Sequence, residues 1–144
     1  MITLFQLMLY VILLSCGDTP QTSASVAAST EKTTGKMHIE ATVQGASNDF
    51  AKILGVYGNQ NFIVDSARSG ADGVFVFDAD TLLPKGFYYV MLGSDNSYFQ
   101  LLLADDQEFK LSAQKGDYVN SMAVSGCLDN ELLYQNLKFE AAFN

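Results

Sequence analysis

The chain has no tryptophan, only two cysteines, two prolines and a single histidine. Two thiols separated by most of the sequence leave no Cys-x-x-Cys, so neither a dithiol redox centre nor a thiolate-rich metal site is expected. His38 has no cysteine or acidic motif beside it in sequence and is expected as a surface residue on the polar face of a strand. Positive charge is equally scarce. Eight Lys and Arg stand against sixteen Asp and Glu, a formal net charge of −8 with no basic run. That balance argues against nucleic acid as a partner, because phosphate neutralisation needs clustered cations. Neither Gly-x-Ser-x-Gly nor a glycine-rich phosphate loop ending in Lys is present. Asp72, Asp78, Asp80, Asp105 and Asp106 do not follow the spacing of a calcium-binding loop and are expected to be turn acids. Asp78-Ala79-Asp80 is the acidic pair to inspect first for calcium. No catalytic residue, cofactor or metal is expected, and the chain is read as non-enzymatic.

What is present begins with an apolar run. Residues 1–15, MITLFQLMLYVILLS, carry Gln6 as their one strongly polar side chain. As a helix they would span about 22 Å, short of the roughly 30 Å hydrocarbon layer, which fits a signal-peptide core better than a permanent span. Leu13-Leu14-Ser15 lead into Cys16, with a small residue directly before the thiol. This pattern resembles the lipobox of bacterial lipoproteins, which implies diacylation of Cys16 and cleavage in front of it. With two or more acyl chains the anchor would be stable, at about 0.8 kcal/mol per buried CH₂. The first basic side chain is Lys32, so the usual positive start of a signal peptide is missing. A buried core helix ending in an incidental cysteine is the competing reading. Residues 16–35 then supply Ser, Thr and Ala without apolar periodicity, as a tether reaching about 25 Å from the membrane surface.

From Met37 the apolar period is two. Met37, Ile39, Ala41 and Val43 alternate with polar residues, the mark of a half-buried strand. Further strands are expected over 51–57, 61–67, 74–78, 86–92, 97–103, 107–113 and 120–126. The three from 86 to 113 read as an antiparallel meander, and Pro84-Lys85-Gly86 as a type II turn before it. The predicted fold is all-β: an antiparallel β-sandwich or partly open barrel of about eight strands over 36–126. Of the ten Phe and seven Tyr, most fall at strand positions that alternation assigns to the core rather than to a ligand platform for sugars or peptides.

Residues 127–144 switch to a helical period. Leu128, Leu132, Phe139 and Phe143 form one stripe, with Leu133, Tyr134 and Leu137 on the far side. One face can dock on the sandwich while the other lacks a cover, and Leu133, Tyr134 and Leu137 are taken as the candidate partner surface. Cys127, at the predicted helix start, is a candidate reactive or dimer-forming thiol, because a helix N-terminus favours thiolate. A tolerated replacement for serine is the plainer reading.

The succession Ile39-x-x-x-Val43-x-Gly45, Asp65-Ser66, Gly73-x-Phe75-x-Phe77, Gly86-Phe87-Tyr88-x-Val90, Asn120-Ser121-Met122-x-Val124-x-Gly126 and Asn130-Glu131-Leu132-x-Tyr134 resembles a known module. It is the β-sandwich domain of unknown function found before thioredoxin-like domains in envelope lipoproteins of Bacteroidota, and the likeness covers residues 37–140. The resemblance implies a sandwich architecture, a location in the cell envelope and an accessory role. In that family a thioredoxin-fold domain commonly follows; its redox residues have no counterpart here. Membrane contact through a lipid on Cys16, and a protein partner or an absent thioredoxin-like domain at the C-terminal helix, are therefore the expected associations; a glycan- or ligand-binding lipoprotein is the remaining alternative.

Overall fold

A computed structural model describes residues 35–143. The expected signal peptide, Cys16 and nearly all of the tether lie outside the described residues. Among the described residues, eight strands form two four-stranded sheets. They are β1 (Met37–Gln44), β2 (Phe50–Tyr57), β3 (Gln60–Arg68), β4 (Val74–Ala79), β5 (Gly86–Leu92), β6 (Tyr98–Leu103), β7 (Glu108–Gln114) and β8 (Ala123–Ser125). A short helical turn, α1 (Tyr118–Ser121), precedes β8, and α2 (Leu128–Ala142) follows it. The first sheet runs β4-β1-β7-β8 and the second β3-β2-β5-β6. No helix among the described residues is long and apolar enough to cross a membrane.

Alternation decides which side chains meet between the sheets. Met37, Ile39, Ala41 and Val43 of β1 are buried, as are Phe75 and Phe77 of β4 and Phe109, Leu111 and Ala113 of β7. The facing sheet contributes Ala51, Ile53, Tyr88, Val90, Leu92, Phe99, Leu101 and Leu103. Register mixes large with small: Phe75 lies opposite Ala41, whose other neighbour is Leu111. The β2–β3 connection is a two-residue hairpin, Gly58-Asn59, with Gly58 at φ 60. A positive φ at the first central position lets so short a loop follow the strand twist, and glycine adopts it without strain.

Three expectations need correction. β7 does not continue a meander after β6; it crosses to the first sheet and runs parallel to β1, with His38 opposite Glu108. Every other ladder between strands is antiparallel. The corner is held by Gln107, whose buried amide accepts from Leu83 N–H and donates to the carbonyls of Leu83 and Ala104. These bonds satisfy backbone groups that the crossing would otherwise bury unpaired. Next, residues 120–126 do not form one strand. Asp117, Asn120 and Ser121 turn the chain locally instead: Asn120 donates to the Asp117 carboxylate at 2.8 Å, and the Ser121 hydroxyl accepts from Gln114 N–H at 2.8 Å. Short polar side chains of this kind compete with a strand ladder, leaving only β8. Lastly, Pro84-Lys85-Gly86 is not a type II turn: Lys85, which follows Pro84 and would need φ near 80°, has no positive φ, and Gly86 opens β5 at φ 156.

Candidate interaction surface

Helix α2 closes the side of the sandwich where β6 and β8 end the two sheets. The docking is polar as much as apolar. Asn130, 0% exposed, accepts from Leu102 N–H at 2.8 Å and donates to Leu102 C=O at 2.7 Å, so one side-chain amide takes the place of a neighbouring strand. One helical turn on, the Tyr134 hydroxyl donates to Gln100 C=O at 2.8 Å. Helix residues four apart rise about 6 Å, and strand residues two apart about 6.8 Å, so the two elements match in step. Burial pushes the Tyr134 phenol above its ordinary pKa, against the smaller opposing effect of the hydrogen bond to Gln100. Lys138 secures the other edge by donating to Met122 C=O at 2.7 Å.

This arrangement reverses the expected helix faces. Leu133, Tyr134 and Leu137, taken from sequence as the candidate partner surface, pack against the core. The uncovered stripe is Leu128, Leu132, Phe139 and Phe143, exposed by 64%, 53%, 64% and 76%. Phe139 and Phe143 pack ring against ring at 4.6 Å. Cys127 is the N-cap of α2, but its side chain makes no capping bond and is 1% exposed. Its sulfur accepts from the Asn130 amide at 3.2 Å. A thiol so enclosed is a core contact, contrary to the reactive or dimer-forming role considered from sequence.

The outer face of the second sheet is also uncovered. Register sets Leu54 beside Tyr89 and Tyr89 beside Gln100, with Lys52, Met91 and Tyr98 forming the next row. Tyr89 and Tyr98 meet edge to face at 5.6 Å and 84°. The aromatic residues are thus divided: Phe75, Phe77, Tyr88, Phe99 and Phe109 fill the core, while Tyr57, Phe62, Phe87 and Tyr98 are exposed.

On the outer face of the first sheet, polar side chains pair across strands. Lys110 meets Glu40 at 2.9 Å, and His38 meets Asp78 at 2.6 Å. The sequence reading missed the second pair because its members are 40 residues apart and become neighbours only through the β1–β4 register. An open cavity of about 530 Å³ beside it is lined by Lys36, Met37, His38, Asp78, Ala79, Asp80 and Glu108, without a hydroxyl or thiol for His38 to activate. Asp78 pairs with His38 and Asp80 with Lys36, and no group of three metal-ligating side chains is assembled among the described residues.

A second polar cluster ties three turns together at one end of the sandwich. Lys115 donates to the Ser94 hydroxyl at 2.6 Å, Ser94 donates to Asp49, and Lys115 lies 3.3 Å from Asp95. A Ser–Lys pair suggests a nucleophile, but the chemistry does not follow. The Lys115 ammonium is already engaged by two carboxylates, 3.7 Å from Asp49 and 3.3 Å from Asp95, and Ser94 turns its proton toward Asp49. Desolvation pushes the Asp49 carboxyl up, yet the Ser94 hydroxyl, the Phe50 N–H and Lys115 together outweigh it and hold the group below the usual range. Asp95 is held low mainly by the Ser97 hydroxyl and N–H. Both are therefore poorer bases than ordinary carboxylates. Because their folded pKa values are depressed, their contribution to stability is complete above the unfolded value of about 3.9 and is lost as pH falls through the folded value. Thermal melts between pH 7 and pH 2 are expected to show an acid limb that is shallower in Asp49→Asn. That variant should also melt lower at neutral pH; parallel curves for the two proteins would remove this role.

No protein-family profile matches the chain, and no curated protein matches it.

Proposed function

We propose that this protein is a lipid-anchored component of the bacterial cell envelope whose β-sandwich serves as a non-catalytic interaction module. The observation that carries the reading is the exposed stripe Leu128, Leu132, Phe139 and Phe143, on a helix whose opposite face is already fixed to the sandwich. Exposed apolar side chains aligned on one helix face in this way mark an association surface. The anchor rests on the sequence: the lipobox-like Leu13-Leu14-Ser15-Cys16 and the Ser/Thr/Ala tract after it. The resemblance to the Bacteroidota module points to the same location.

The alternative is the accessory portion of a thiol–disulfide oxidoreductase, with a thioredoxin-like domain as the body that covers the stripe. The same helix face supports it. Metabolic labelling with a fatty-acid analogue tests the anchor: incorporation is expected in the native chain and lost in Cys16→Ala, which should leave the membrane fraction. Cross-linking from position 132 or 139 in intact cells tests the module. A specific partner captured there, and not from position 57, supports the proposal. An unlabelled chain contradicts the anchor, and capture no different from position 57 contradicts the interaction surface.

A further inference from the structure

The outer face of the second sheet has a groove of about 430 Å³, within the range of roughly 300–1,000 Å³ typical of ligand sites. Leu54, Val56, Asn61, Tyr89, Met91, Tyr98 and Gln100 line it. None of the seven is charged, although the chain as a whole carries −8. The surface of the other sheet, by contrast, has Lys36, His38, Asp78, Asp80 and Glu108 around its cavity.

From this lining we infer that the groove is a binding site for a neutral saccharide. Tyr89 and Tyr98, nearly perpendicular, form a corner in which a pyranose can lay its C–H face on one ring and meet the other edge-on. Tyr98 is 59% exposed, so its ring is available. The Asn61 and Gln100 amides flank the corner, each with donors and an acceptor for sugar hydroxyls. They match hydroxyl groups, which both give and receive hydrogen bonds.

Other ligand classes fit the same lining less well. An anion would find only the Lys52 ammonium, at the border beside Met91, and would enter against the field of an acidic protein. A cation would meet Lys52, which register places beside Met91 at the border. An acyl chain would leave two amides without partners and one side in water. A second uncharged cleft, of about 190 Å³, shares Tyr98 and Gln100 with the first and extends toward Tyr118 and Tyr134. A chain of several sugar units can therefore cross strand β6 without meeting a charge.

This site is separate from the α2 stripe, and its test does not depend on the anchor. The full chain, purified in a detergent without a sugar headgroup, is titrated by calorimetry with cellohexaose, maltohexaose, xylohexaose and mannohexaose. Hexagalacturonate serves as the charged counterpart. Saturable binding of at least one neutral probe is expected. Tyr98→Ala should weaken it by about tenfold or more, the factor that corresponds to about 1.4 kcal/mol. Gln100→Ala should weaken it too, while Tyr57→Ala, on an exposed ring outside the groove, should not. Unchanged melting temperatures in the three variants separate lost binding from lost folding. Failure of all four neutral probes overturns the inference, as does equal affinity for hexagalacturonate or binding unchanged in Tyr98→Ala.

Discussion

Asn130→Ala is expected to destabilise the domain by about 2–4 kcal/mol, because it removes the partner of both the N–H and the C=O of Leu102. Each buried backbone group left unpaired costs about 1–3 kcal/mol, well above the net worth of an ordinary hydrogen bond. Asn130 is fully buried and also contacts the Cys127 sulfur, so truncation opens a void at the helix start as well. The melting temperature should fall on the order of 10–20 °C. Chemical denaturation checks the figure. A cost below about 1 kcal/mol would mean that water reaches Leu102 once the amide is gone, and that α2 is held without the Asn130 amide. The same variant should associate more readily through strand β6, where it leaves the Leu102 N–H and C=O unpaired.

Phe75→Ala is expected to cost more, about 3–5 kcal/mol, as large-to-small substitutions of buried aromatics do. Phe75 is 0% exposed and fills the space left by Ala41 opposite it, so no larger side chain stands ready to collapse into the void. Against a typical total of about 5–15 kcal/mol, this loss leaves a marginal fold. Equilibrium unfolding in urea should show a lower midpoint with a similar slope. A cost near 1 kcal/mol would mean that β4, an edge strand, shifts inward to close the gap.

Strand positions were largely legible because half-burial writes itself as alternation. In β1 and β7 every second residue is buried, and the sequence carries that period openly. Pairing was not legible. That β7 leaves β6 to lie parallel to β1 depends on a corner fixed by the Gln107 amide, and no periodicity reports it. The orientation of α2 was hidden for a related reason. Leu128, Leu132, Phe139 and Phe143 are as apolar as Leu133 and Leu137, so hydrophobicity does not rank the two faces. Asn130 and Tyr134 decide between them, by meeting the unpaired backbone of β6. The groove on the second sheet was invisible too. Tyr89, Tyr98 and Gln100 come together only through the β5–β6 register, and alternation alone gave the aromatics to the core. His38 and Asp78 were separated in the same way.

The parallel β1–β7 ladder also sets a clock on synthesis. Its cross-strand pair Glu40 and Lys110 is separated by 70 residues. At roughly 5–20 residues per second, β1 emerges about 4–14 s before the strand that lies parallel to it. Through that interval its inner face, Met37 to Val43, has no finished core to enter. Long-range pairing of this kind slows folding, because a large loop must close before any contact rewards it. The first sheet thus stays incomplete until almost all of the domain has been made.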